Sequence, residues 1–162
     1  PVGGVMVFAK TSKAASRLSD QVREKIFKKK YLAVVDGRFE QSKGILEDYL
    51  YKDERNNISK VVKPEKKGAK YAKLDYEVLG YKPDKDLSLV KVNLHTGRHH
   101  QIRVQFASRN HPLYGDQRYG KSSKKQLALF AYYLSFNHPV TKEKLEFIKY
   151  PDKVGIWKEF IC

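Results

Sequence analysis

Apolar and polar positions change period several times along this chain, and the changes mark out its elements. Residues 3–9, GGVMVFA, form a short apolar run bounded by glycine, which predicts a buried strand. Thr11 or Ser12 can cap a helix over about 13–28, with Ala15, Leu18, Val22 and Ile26 on one face. Residues 30–37, KYLAVVDG, read as a strand ending at Asp-Gly. Two shorter strands are predicted at 44–51 and 57–63, followed by an exposed lysine-rich loop or hairpin end around Gly68. Ala72, Leu74, Tyr76 and Val78 then alternate with Lys73, Asp75 and Glu77, the pattern of a half-buried strand.

After a turn at 81–86, residues 87–94 predict a strand that delivers His95 at its end. A helix from about Arg98 to Ser108 follows, with Thr96 as its candidate cap. Residues 127–136 and 144–150 predict a closing hairpin, and 152–160 one or two helical turns. Strands outnumber helices, with neither internal repeats nor a boundary. The expected fold is α+β: one domain over 1–162, built on a mostly antiparallel or mixed sheet.

Composition narrows the function. Formal net charge is +15 from 33 basic and 18 acidic residues, which favours a polyanionic partner. The lysines cluster at 28–30, at 60–73 and at 121–125. Lysine is a flexible point charge suited to phosphates of any sequence, so nucleic acid leads as partner. No apolar run is long enough to cross a bilayer as a helix, and no amphipathic basic helix with an apolar anchor is evident, so no membrane role is expected. The one cysteine is the last residue, Cys162, which precludes an internal disulfide and fits a reducing, cytoplasmic setting.

Residues 92–120, VNLHTGRHHQIRVQFASRNHPLYGDQRYG, break the lysine habit. They hold four of the eight arginines, four of the five histidines and no lysine. Gly97 lets the chain turn sharply into the helix, and Arg98 falls in a first turn where a cation is unfavourable to the dipole. His99 and Arg103 share one face, and Ile102 and Phe106 another that is expected to be buried. Arg103 therefore lies at a core boundary and needs an anionic partner. On a helix the adjacent His99 and His100 diverge, and no cysteine or acidic residue lies in the junction, so a zinc site is improbable. Nucleophile-elbow, P-loop and dinucleotide patterns are absent. From these residues alone, an ordinary basic surface helix remains an equal reading.

Taken with three further stretches, the segment resembles the RluA-type pseudouridine synthases. HTGRHHQIRVQFASRNHPLYGDQRYG is similar to that family's T-G-R-x-H-Q-I-R-V, H-P-hydrophobic-x-G-D and Y-G motifs. KKYLAVVDG, GGVMVFAKT and LALFAYYLSFNHPVTKEKLEF resemble its other motifs, in order and over almost the whole chain. The resemblance implies isomerisation of uridine to pseudouridine in structured rRNA or tRNA by an aspartate nucleophile, without metal or organic cofactor. The resemblance also implies that the uridine is flipped out of its stack into the site, and a monomer is expected. By the same resemblance, Tyr31 packs on the base and helps remove the C5 proton, while Arg103 pairs with the aspartate. Ile102 packs in the pocket. Arg98, His100 and Gln101 approach the RNA, and Lys29 belongs to the strand motif that carries Tyr31 and joins the RNA-binding set.

The sequence departs from the family in three places. The family's aspartate belongs to an Arg-Leu-Asp motif just before the segment matching Pro1–Lys10, so residues 1–162 alone are expected to be inactive. Arg103 is then expected to be loose, met by water, a buffer anion or another acidic side chain. His99 stands where threonine is common, and Asn110 where glycine usually precedes His-Pro. The competing reading from another class is a non-catalytic basic RNA-binding module of the same fold.

Overall fold

A computed structural model describes residues 2–121 and 123–161; Pro1 and Cys162, named above, lie outside the described residues. The strands are β1 (Gly3–Gly4), β2 (Lys28–Asp36), β3 (Lys43–Asp53), β4 (Ile58–Val62), β5 (Lys70–Lys82), β6 (Leu87–Leu94), β7 (Leu129–Asn137) and β8 (Lys144–Ile148). The helices are α1 (Ser12–Arg23) and α2 (Gln101–Ala107), with a 3-10 turn at Gly155–Glu159. All eight strands join one mixed sheet in the order β1-β7-β2-β6-β5-β3-β4, and β8 pairs with β7. Only β1 with β7 is parallel. The fold is α+β.

Alternation along the strands divides the core between the two faces of the sheet. Ala33 and Val35 of β2, Leu74 of β5, and Val90 and Val92 of β6 point to one face. There α2 closes over them with Ile102 and Phe106. Phe106 is fully buried, worth about 1.5–3 kcal/mol of apolar transfer. Leu32 and Val34 of β2 point the other way with Leu87, Leu89 and Tyr132, where Ile156, Trp157 and Phe160 of the C-terminal segment cover them.

Three expectations need correction. The run at 3–9 is not a buried strand: only Gly3 and Gly4 pair, and Met6 and Phe8 are 68% and 80% exposed. Gly4 adopts φ +131°, pressed so closely on Ala131 that a Cβ would collide with its backbone. Val5 N–H makes one more bond, to the Ala131 carbonyl, before the chain leaves the sheet.

Helix α1 begins under its Thr11 cap, as read, with Thr11 Oγ1 accepting from Ala14 N at 3.1 Å. It stops at Arg23, well short of residue 28, and Lys25 turns left-handed at φ 62°. Val22 and Ile26 are exposed, while Gln21 is buried. The Gln21 amide donates to the Asn137 carbonyl at 2.7 Å and accepts from Asn137 N at 2.8 Å, so the end of β7 determines which face of the helix turns inward.

Helix α2 begins at Gln101, not Arg98. Its N-terminal flanking residue is His100, in a left-handed conformation at φ 52° with no side-chain cap, and Thr96 is used elsewhere. The remaining elements lie where the pattern put them, with β3 and β5 longer than read. Asn110, at the family's usual glycine, adopts φ 64°, which asparagine tolerates best after glycine.

Gly115, at φ +78°, sits in the turn that precedes Asp116, and a Cβ there would strike the Gln126 carbonyl. Gly115→Ala should destabilise the fold by about 1–3 kcal/mol. A urea denaturation midpoint equal to the parent's would show that this turn can shift without cost.

Candidate active site

The site is assembled where the end of β6 runs into α2. A single buried amide organises the junction. Gln101 Oε1 accepts from Arg98 N at 2.9 Å and from Thr96 Oγ1 at 2.8 Å, and its Nε2 donates to the Lys73 carbonyl at 3.1 Å. Thr96 Oγ1 in turn accepts from Lys73 N at 2.9 Å. Gln101 is therefore committed to the protein and buried, set behind the surface it was read as forming. Its effect is to fix Arg98, which precedes the helix and so carries none of the dipole penalty argued from a first-turn position. Arg98 is exposed, with Nε donating to the Tyr71 carbonyl at 2.8 Å. Gly97 is not demanded by its turn: no positive φ is found there, and a Cβ would meet nothing within 4 Å.

Of the partners expected for Arg103, another acidic side chain meets it, and it is held firmly rather than loosely. Its Nε donates to Asp116 Oδ2 and its Nη2 to Asp116 Oδ1, each at 2.9 Å. The Asp116 side chain is 0% exposed and that of Arg103 16%. Asp116 Oδ1 also accepts from the backbone amides of Arg118 at 3.0 Å and Tyr119 at 3.1 Å. Burial works to raise the Asp116 carboxyl, but the guanidinium fork and the two amides outweigh it and hold it below the usual carboxylate range. The same pairing raises Arg103 further above its already high value. The Tyr119 ring lies 5.2 Å from the guanidinium carbon. Arg103 Nη1 takes part in no hydrogen bond found among the described residues, so one edge of the fork is uncommitted.

His99 and His100 do not diverge. Because α2 starts after them, their rings lie together with centroids 3.8 Å apart. His99 Nδ1 bonds Ser59 Oγ and His100 Nδ1 bonds the Tyr119 hydroxyl, both at 2.8 Å. His99 precedes the helix and so does not share a helical face with Arg103.

Tyr31 occupies β2 opposite Val92 of β6 and Ala131 of β7, where a bulge interrupts the β2–β7 register. It packs on the cluster that contains Ile102, so the strand tyrosine and the helix share one apolar wall. Burial pushes its phenol up, keeping it protonated at neutral pH. Lys29, two residues earlier, is exposed, its Nζ 5.3 Å from the Phe27 ring. The structure thus joins Tyr31 to Ile102 and Arg103 to His100 through Asp116 and Tyr119, while Lys29 and Arg98 lie outside both groups. Sequence reasoning missed Asp116, Tyr119 and Ser59 as site residues. The first two lie in the quoted G-D and Y-G motifs, so they were visible as residues but not as partners. Among the described residues, no three of His, Cys, Asp or Glu converge as a metal site would require.

Comparison with known proteins decides the family. The family model described as RNA pseudouridylate synthase matches residues 1–108. The chain belongs to this family. It is 37% identical over 142 residues to an uncharacterized RNA pseudouridine synthase of Bacillus subtilis, covering 86% of this chain and 46% of that protein. It is 34% identical over 164 residues to the tRNA pseudouridine synthase C of Haemophilus influenzae, covering 90% of this chain and 68% of that one. Names such as the dual-specificity RNA pseudouridine synthase RluA of Pasteurella multocida, 35% identical over 148 residues, identify the RluA type. The human RNA pseudouridylate synthase domain containing 1 has the same fold, with a TM-score of 0.74 at 24% identity, over 92% of this chain and 64% of that one. The chain spans about half the length of the first curated relatives it matches.

Asp116 is the residue on which this geometry stands. Asp116→Asn would turn an NH2 toward the guanidinium and leave a largely buried cation without its anion, at a cost of about 3–5 kcal/mol. Urea unfolding followed by tryptophan fluorescence from Trp157 measures it. A loss under about 1 kcal/mol would mean that Arg103 finds another partner without strain.

Proposed function

We propose that this chain is the catalytic domain of an enzyme that isomerises uridine to pseudouridine in structured RNA, acting as a monomer in the cytoplasm. The nucleophile is an aspartate in the sequence ahead of Pro1, so residues 1–162 alone should not turn over uridine. Relatives are named for tRNA and for the large ribosomal subunit, and the substrate is drawn from these two kinds of RNA. One observation carries the reading. Tyr31 and Ile102 lie in one apolar cluster, next in sequence to an Arg103 whose fork is braced on one side and open on the other.

Each residue has a part in that chemistry. A uridine flipped from its stack lies against the Tyr31 ring and Ile102, where the apolar wall replaces stacking on neighbouring bases. The glycosidic bond from N1 breaks, the base turns, and a bond forms from C5 to the same sugar carbon. C5 gives up its proton and N1 gains one, so atoms balance without a cofactor. The Tyr31 hydroxyl serves the C5 proton transfer. Arg103 Nη1 meets the incoming aspartate, and the Asp116 brace fixes its direction, which a flexible ammonium would not hold. Arg98 and His100 contact the strand, with Gln101 positioning Arg98 from behind. Lys29 and the lysine clusters supply a less specific grip on phosphates.

Two measurements test this on protein that includes the sequence ahead of Pro1. Tyr31→Phe keeps the ring and removes the hydroxyl; single-turnover pseudouridine formation should fall at least about a hundredfold while RNA affinity stays near the parent's. Parental turnover would leave Tyr31 as a packing residue only. Arg103→Lys preserves the charge but loses the fork, and product formation should drop by roughly a hundredfold. Full activity in that variant would remove Arg103 from the mechanism, and an inactive parent would remove the proposed activity itself.

A further inference from the structure

Two imidazoles lie face to face just before α2, tilted by 31° with centroids 3.8 Å apart. Each ring makes one hydrogen bond, through Nδ1. Tyr119 Oη accepts from Ser59 N–H at 2.9 Å, so its own hydrogen is free to be donated to His100 Nδ1 at 2.8 Å. Ser59 Oγ lies 2.8 Å from His99 Nδ1, and its hydrogen has no other acceptor among the described residues. We assign both Nδ1 atoms as acceptors of these hydroxyl hydrogens, and in that tautomer each neutral ring carries its hydrogen on Nε2. No hydrogen bond among the described residues uses either Nε2. Neither Nε2 is among the fully buried side-chain atoms that lack a partner among the described residues, so each keeps some exposure.

The surroundings are positive. Burial first, then Arg103, His99 and Arg118, push His100 down to about 4, against a small opposing pull from Asp116. Burial, Lys52, Arg103 and Arg118 hold His99 below its ordinary value, with Glu54 opposing. Glu54 is itself paired with Lys52 at 3.0 Å, and Asp116 with Arg103. At neutral pH the result is two adjacent uncharged N–H donors in a field that favours an anion. A metal cation would find both Nδ1 lone pairs engaged and both Nε2 atoms protonated.

We propose that His99 and His100 form a two-donor clamp for the oxygens of one RNA phosphodiester, beside the Arg103–Asp116 brace, and that seating the phosphate draws a proton onto the pair. The clamp rests on the RNA reading above and adds to it a specific contact, a residue outside the expected RNA-binding set (His99), and a coupling to protons. The sign follows from charge. A phosphate beside an imidazole stabilises its protonated form, so the bound state takes up protons that the free state does not, and binding tightens as pH falls. Ser59 and Tyr119 act as positioning residues, since they hold both rings with Nε2 outward.

The experiment uses the full-length protein and a uridine-containing stem–loop RNA, titrated calorimetrically at about pH 6 and about pH 8 in buffers of different ionisation heat. The parent should take up a fraction of a proton at the lower pH and almost none at the higher. His99→Phe keeps a stacked ring without the donor; it should bind about three- to tenfold more weakly and lose most of the uptake. His99→Gln, with a donor that does not titrate, should recover affinity but not uptake. Affinity and uptake equal to the parent's in His99→Phe would overturn the clamp.

Inorganic phosphate should shift the Nε2–H resonances of both rings in the parent, and uridine nucleoside should not. The reverse pattern would mean that the pair reads a base edge, which also overturns the clamp. Pseudouridine formation measured on the same samples separates the two readings. Binding with proton uptake but no product leaves the clamp and removes the activity. Product formation with His99→Phe binding unaltered does the opposite.

Discussion

The site depends on one ion pair. An arginine at the margin of a core is costly unless its charge is met, and here the two-point contact with Asp116 meets it. The pairing does more than neutralise. Two parallel bonds leave a planar group no rotational freedom, so the third nitrogen points where the pair directs it. The same carboxylate gathers the amides of Arg118 and Tyr119, which brings the Tyr119 hydroxyl to His100 and to β4. Arg118 Nη1 continues outward to the carbonyls of Asn56 and Asn57 in the β3–β4 turn. One buried anion thus ties together a helix, a turn and a hairpin.

A second, half-buried cluster repeats the arrangement nearby. Asp48 of β3 receives Gln105 Nε2 at 2.9 Å and Arg109 Nη1 at 2.7 Å, so both ends of the short helix α2 are moored by carboxylates from elsewhere in the chain. A seven-residue helix has little intrinsic stability, and these anchors with the Ile102 and Phe106 contacts supply what its length cannot. Gln105 Oε1 is left without a partner among the described residues, a local imperfection in an otherwise satisfied network.

Much of this was legible in the sequence, and the failures have physical causes. Alternation identified β5, while β2 and β6 were readable as apolar runs because they are buried on both faces over part of their length, and the Asp-Gly and Thr11 signals marked ends correctly. The quoted motifs picked out Tyr31, Ile102 and Arg103, of which the fold sets the first two in one apolar cluster. The start of α2 was misread because the actual boundary carries no cap signal: His100 adopts a left-handed conformation, and Thr96 bonds Lys73 and Gln101 instead. That error propagated to the histidines, which cannot diverge around a helix they do not belong to. The face of α1 was misjudged because a buried hydrogen-bonded amide, Gln21, prevailed over the aliphatic stripe. Asp116 was out of reach of local reasoning, since it lies 13 positions beyond Arg103 and only the fold brings them into register.

Gly97 has a different kind of consequence. Among the described residues nothing lies within 4 Å of where a Cβ would stand, and no positive φ is found there. The internal packing therefore leaves room for a Cβ at this position. Its neighbours on either side, Thr96 and Arg98, are both tied down through Gln101, so the bare backbone is displayed on a fixed ledge. Any requirement for glycine at residue 97 originates outside the molecule, as headroom for whatever settles over that ledge.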